Sequence, residues 1–128
     1  MFQCASLLAS LSLFDKATMP KLRAKSLLLT SYMQLLGEAV LVGKGLGVHL
    51  ITPRDSKDRG CQISVALEEG MVEVNDQLRD DGFLCDARKP DVIRVAPVPL
   101  YSNFQDVRKF IFGLESILVK RQSSKAKM

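Results

Sequence analysis

Between Thr18 and the glycine run GKGLG (43–47), Leu22, Leu29, Tyr32, Met33, Leu36 and Val40 fall on one stripe at helical spacing. No other feature constrains the fold as much, because a helix with one apolar face must bury it against a second layer. The spacing predicts a long linking helix over about 19–42. Thr18 serves as its N-cap, and Pro20 sits just inside, where a missing N–H costs nothing. The glycines invite a phosphate-loop reading. Such a loop follows a strand and opens a helix, whereas here a helix precedes and a strand follows, so a flexible connection is the better reading.

Upstream, Cys4, Leu7, Leu8, Leu11 and Phe14 predict a first amphipathic helix, interrupted by DKATMP. Downstream, VHLIT (48–52) reads as a strand and PRDSKDRG (53–60) as a polar turn. CQISVAL (61–67) alternates Cys61, Ile63, Val65 and Leu67 against Gln62, Ser64 and Ala66, the pattern of a half-buried strand. MVEVNDQLRDD (71–81) is a short helix stopped by Gly82. FLCD (83–86) and VIRVAPV (92–98) are two further strands joined through ARKPD. Ser102 with Gln105 fits a capping box, and Phe104, Val107, Ile111, Leu114 and Leu118 carry a last helix. The order ααββαββα predicts an α+β unit, a small and mainly antiparallel sheet with flanking helices.

A chain of 128 residues suits one domain with a modest core. Its net charge of +4 raises a nucleic-acid reading, so the location of that charge matters. Of 18 Lys and Arg, four (Lys120, Arg121, Lys125, Lys127) lie in VKRQSSKAKM (119–128), which leaves 14 basic residues against 14 acidic ones. The body is neutral and the basicity is a tail, not the patch that nucleic acid needs. Cys4, Cys61 and Cys85 are odd in number and include no CxxC, which fits reduced thiols rather than a disulfide framework. His49 is the single histidine, so no metal site is read from the sequence. The apolar opening MFQCASLLASLSLF lacks a positive n-region and is too short to span a bilayer.

VIRVAPVPLYSNF (92–104) carries one charge, Arg94, inside an apolar strand. Arg94 shares a face with Val92 and Ala96, while Ile93 and Val95 point the other way. A guanidinium on a half-apolar face needs a partner. Two would serve: an internal acid, Asp86 or Asp91, or the carboxylate or phosphate of a ligand, which the planar fork binds bidentately. Pro97 and Pro99 remove ladder donors and bring Arg94 near a rim.

ITPRDSKDRGCQISV, followed by FLCDARKPDVIRVAPVPLYSNFQDVRKF, resembles the C-terminal domain of the kynureninase family, and ASLLASLSLFDKATMPKLRAKSLLLTSYMQLL extends the resemblance to nearly all of the chain before the tail. It implies the small domain of a pyridoxal-phosphate enzyme of the aspartate-aminotransferase fold (fold type I), over 1–118, with 119–128 a disordered basic tail. Family members hydrolyse the Cβ–Cγ bond of kynurenine or 3-hydroxykynurenine, releasing alanine and an anthranilate, with the cofactor as electron sink. Arg94 matches the family arginine that binds the substrate α-carboxylate, and the resemblance favours that role over the internal pair. It also implies a cytoplasmic homodimer. The lysine that carries pyridoxal phosphate belongs to a large domain, and no lysine here sits in a matching motif, so no cofactor-binding or catalytic residue is assigned. The alternative is a non-catalytic domain that pairs with full-length chains. Ser102-Asn103 replaces the family's Asn-Ser. The C-terminal AKM is similar to a peroxisomal address, which is the weaker localisation.

Overall fold

Strict alternation in ISVAL sets the centre of the molecule. The computed structural model describes residues 2–127. It places Ile63, Val65 and Leu67 of strand β2 (Ile63–Leu67) on one buried face. β2 pairs antiparallel with β1 (Val48–Leu50) and β4 (Val92–Val95), and β3 (Asp86–Arg88) pairs antiparallel with β4. The sheet order is β1-β2-β4-β3. Helices α1 (Phe2–Ala17), α2 (Met19–Leu36), α3 (Met71–Asp80) and α4 (Phe104–Lys125) complete the predicted order ααββαββα. Val48, Ile63, Val65, Leu67 and Ile93 floor the core, and Leu29, Met33, Val74, Leu78, Ile111 and Leu114 cover it from the helices. Each such side chain contributes roughly 1.5–3 kcal/mol by leaving water.

The linking helix behaves as its stripe predicts, with two local departures. Leu22, Leu29 and Met33 are buried, and Tyr32, Leu36 and Val40 pack half-buried against them. From Gly37 to Val42 the coil widens to a π-helix, in which the Gly43 N–H donates to the Glu38 carbonyl at 2.7 Å. At its start Thr18 makes no side-chain cap and adopts φ 64°, ψ 136°, a strained backbone for a β-branched residue. Its N–H still donates to the Phe14 carbonyl and its carbonyl accepts from Leu22. Thr18 thus keeps both of its backbone groups paired while the chain changes direction.

Four expectations need correction. The cap of α4 is Asn103, not Ser102: Asn103 Oδ1 accepts from the Gln105 and Asp106 N–H groups, and Asp106 Oδ2 accepts from the Asn103 N–H. The box closes one residue later because Val98 accepts the Ser102 N–H in the preceding turn. FLCD is not a strand, since β3 begins only at Asp86. The Phe83 N–H caps α3 through the Leu78 carbonyl, and its ring packs edge-on against Phe110 with centroids 5.8 Å apart. Gly113 permits this, because a Cβ there would stand 2.9 Å from the Phe83 ring.

The basic tail is helical rather than disordered as far as Lys125. Gln122 donates to the Gly45 carbonyl, and Lys125 pairs with Glu69, whose carboxyl that hydrogen bond holds below its ordinary range. Last, the stripe of α1 stays outside the core: Phe14 is half-buried, but Cys4, Leu7, Leu8 and Leu11 are exposed. Among the described residues no helix is long and apolar enough to cross a membrane. The AKM terminus ends in Met128, which lies outside the described residues.

The cap assignment has a direct test. Asn103→Ala should lower stability by about 1 kcal/mol, the usual worth of an N-cap side chain, and Ser102→Ala by far less. Urea unfolding of both variants measures the difference, and equal losses would contradict the assigned cap.

Candidate functional site

One face of the sheet is covered by helices, and the opposite face holds two rows of side chains. Register places Ser64, Arg94 and Asp86 in one row across β2, β4 and β3. His49, Ala66, Val92 and Arg88 form the neighbouring row. The polar positions of these strands gather here because their apolar neighbours are needed in the core. Ile93 is 0% exposed, so Arg94, the next residue, must face away from it.

Arg94 Nη2 donates to Asp86 Oδ2, the residue opposite it in the ladder. Of the two acids read as internal partners, Asp86 is therefore the one in place. Asp91 lies in the β3–β4 turn, where its carbonyl accepts from the Leu67 N–H. The same Asp86 oxygen accepts from Arg88 Nε at 3.2 Å and Nη2 at 3.0 Å. Arg88 was not singled out from the sequence, although its spacing of two from Asp86 on one strand was a signal for a shared face. The Arg94 side chain is 33% exposed, and its buried Nε has no hydrogen-bond partner. A guanidinium has five donors; here Nη2 is engaged by Asp86 and the buried Nε by no acceptor.

Ser102 lies elsewhere, on a cleft of ≈ 460 Å³ between the end of β4, residues 82–85 and the start of α4. Val95, Pro97, Phe110 and Cys85 line the cleft, with Tyr101 and Leu84 exposed around it. Arg94 is not among its walls, because Val95 faces the cleft and Arg94 the other side of the sheet. Burial pushes the Cys85 thiol up to about 11, which suppresses the reactive thiolate. Cys4 is exposed and Cys61 half-buried. Among the described residues no three or more His, Cys, Asp or Glu gather as a metal site.

Fold and site together define a small α+β domain that presents a tethered arginine on the open face of an antiparallel sheet. The profile of the kynureninase C-terminal domain matches residues 22–114, and the chain belongs to that family. It is 44% identical over 123 residues to the kynureninase of Nematostella vectensis, covering 90% of this chain and 26% of that protein. It is 47% identical over 114 residues to that of Myxococcus xanthus, covering 89% and 26%. Against the kynureninase of Mus musculus it is 44% identical over 124 residues, covering 93% and 27%. The chain thus spans about a quarter of the length of the curated relatives it matches.

The buried thiol gives a pH dependence with a definite sign. Cys85 keeps its proton in the folded state up to about 11, whereas the free thiol releases it near 9.0. Between those values the unfolded state binds fewer protons, so stability falls as pH rises. The wild-type urea midpoint should therefore fall faster than that of Cys85→Ala from 9.0 to about 11. Parallel decline of the two proteins would show that Cys85 does not titrate in this way.

Proposed function

We propose that this domain serves a kynureninase, the hydrolase that cleaves L-kynurenine or 3-hydroxykynurenine into an anthranilate and L-alanine, and that Arg94 receives the substrate α-carboxylate. The observation that carries the reading is the Arg94 guanidinium, a third exposed on the open face of the sheet and fixed on one side by Asp86. A carboxylate bound there forms charge-assisted hydrogen bonds, shorter and stronger than neutral ones. Its chemistry is positioning: it holds one end of the amino acid so that the remainder reaches groups outside this chain.

Pyridoxal phosphate would supply the electron sink for this reaction, and this reading assigns no residue of the chain to hold it. Three N–H groups of the glycine loop are engaged internally and are not free to cradle a phosphate. Gly43 donates to Glu38, Gly45 to Val42 and Leu46 to Leu41. Lys44 pairs with Glu115, and Lys125 with Glu69. In this reading the domain brings the substrate clamp, and the rest of a kynureninase brings the cofactor. The enzyme would act in tryptophan catabolism toward NAD, as a cytoplasmic homodimer.

A second reading rests on α1, where Leu7, Leu8, Leu11 and Leu13 stand 60%, 71%, 49% and 54% exposed. An uncovered apolar helix suits pairing of this chain with a full-length kynureninase. Stable co-elution of the two in gel filtration supports that role, and separate elution removes it.

The carboxylate role is tested by substituting this chain for the matching quarter of the mouse enzyme. Arg94→Gln should raise KM for L-kynurenine roughly 100-fold, about 3 kcal/mol for a lost pair of charged hydrogen bonds, with cofactor absorbance retained. An unchanged KM would refute the role.

A further inference from the structure

Arg94 does not stand alone on the open face. Asp86 Oδ2 accepts from Arg94 and from Arg88, so two guanidinium groups share one carboxylate. All three residues lie on the inner strand β4 and the edge strand β3, whose register is fixed: Asp86 opposite Arg94, and Arg88 opposite Val92. The Arg94 stem has many rotamers, and an arginine left free would spend little time in any one of them. Asp86 removes that freedom from the side of β3. Arg88 in turn holds Asp86, and its spacing of two residues puts both on the same face. No further carboxylate pairs with Arg94 or Arg88 among the described residues, so the three side chains carry one net positive charge.

We propose that Asp86 is the positioning residue for Arg94, anchored by Arg88, and that this shared carboxylate pre-orients the guanidinium for an incoming substrate carboxylate. The proposal rests on the reading of Arg94 as the carboxylate receiver. It adds the source of its orientation. It also opposes the simple electrostatic expectation that an acid beside Arg94 competes with substrate. Arg88 resolves that conflict by sharing the Asp86 oxygen, so that Asp86 acts as support more than as rival. A preorganised receiver avoids the ordering that binding would otherwise require.

The test has two arms. In the 128-residue chain, hydrogen exchange of the Arg94 Nε–H by NMR should be slow. Asp86→Asn should speed it about 10-fold while the core amides keep their protection, and Asp86→Glu should restore most of the difference. Exchange that is the same in all three proteins would overturn the proposal. In the enzyme carrying this domain, Asp86→Asn should raise KM for L-kynurenine about 10-fold with kcat within about two-fold, as loss of a supporting partner does. Once Arg94 is already Gln, the same change should add nothing. A fall in KM would make Asp86 a competitor, and an equal rise in the Arg94→Gln background would make it merely structural. Either result overturns the proposal. If Arg94→Gln raises KM but Asp86→Asn does not, only the positioning role fails. If Arg94→Gln has no effect, the receiver reading fails and this inference falls with it.

Discussion

Everything on the open face follows from burying Ile93. That side chain is 0% exposed, between the paired positions Val65 on β2 and Ala87 on β3. A strand has a period of two, so a one-residue slip in β4 would drive Arg94 into the core and expose Ile93. The cost of an unpaired buried guanidinium makes that slip prohibitive. The same register that protects the core places Asp86 across from Arg94. The candidate site therefore requires no additional folding instruction: it is the reverse side of the hydrophobic alternation in ISVAL and VIRV.

Arg59, a buried arginine, offers a contrast with Arg94 that separates structure from site. Arg59 is 9% exposed and donates to the Pro53 and Arg54 carbonyls, to Ser31 Oγ and to Thr30 Oγ1. All of its partners are neutral, from the polar turn and from α2, and together they clamp that turn to the helix. Its hydrogen bonds are made with groups that also needed partners. Arg94 has a charged partner, a second cation behind that partner, and a donor with no acceptor. Arg59 is the more deeply buried of the two and has its donors engaged by neutral groups, whereas Arg94 keeps a buried donor with no acceptor.

Much of this was legible in the sequence because it depended on period. The helical stripe from Leu22 to Val40, the alternation in CQISVAL and the glycine stop after residue 81 all reported burial directly. What was not legible depended on contacts distant in sequence. FLCD looks like a strand until Phe83 is seen to cap α3 and to pack against α4, across thirty residues from Gly113. The cap of α4 moved from Ser102 to Asn103 because the preceding turn, not the helix, engages the Ser102 N–H. The charge run at 119–128 read as a solvated tail, yet Gln122 and Lys125 find partners at Gly45 and Glu69. The α1 stripe was read correctly as apolar, but periodicity cannot say whether a second layer exists to receive it.

Exposure also bears on why three charges share one patch. Side chains that are 33%, 49% and 58% exposed make ion pairs that are screened by water and add little to stability. Stability therefore gives no strong reason for Arg88 and Asp86 to flank Arg94. Geometry gives one. A single carboxylate facing a single guanidinium would make a closed, neutral pair with little left to attract an anion. Adding Arg88 divides that carboxylate between two cations, keeps Arg94 aligned from one side, and leaves one positive charge uncompensated beside a buried Nε. In the proposed role, such an arrangement would hold its shape before the ligand arrives and complete its charge balance when one more carboxylate is bound.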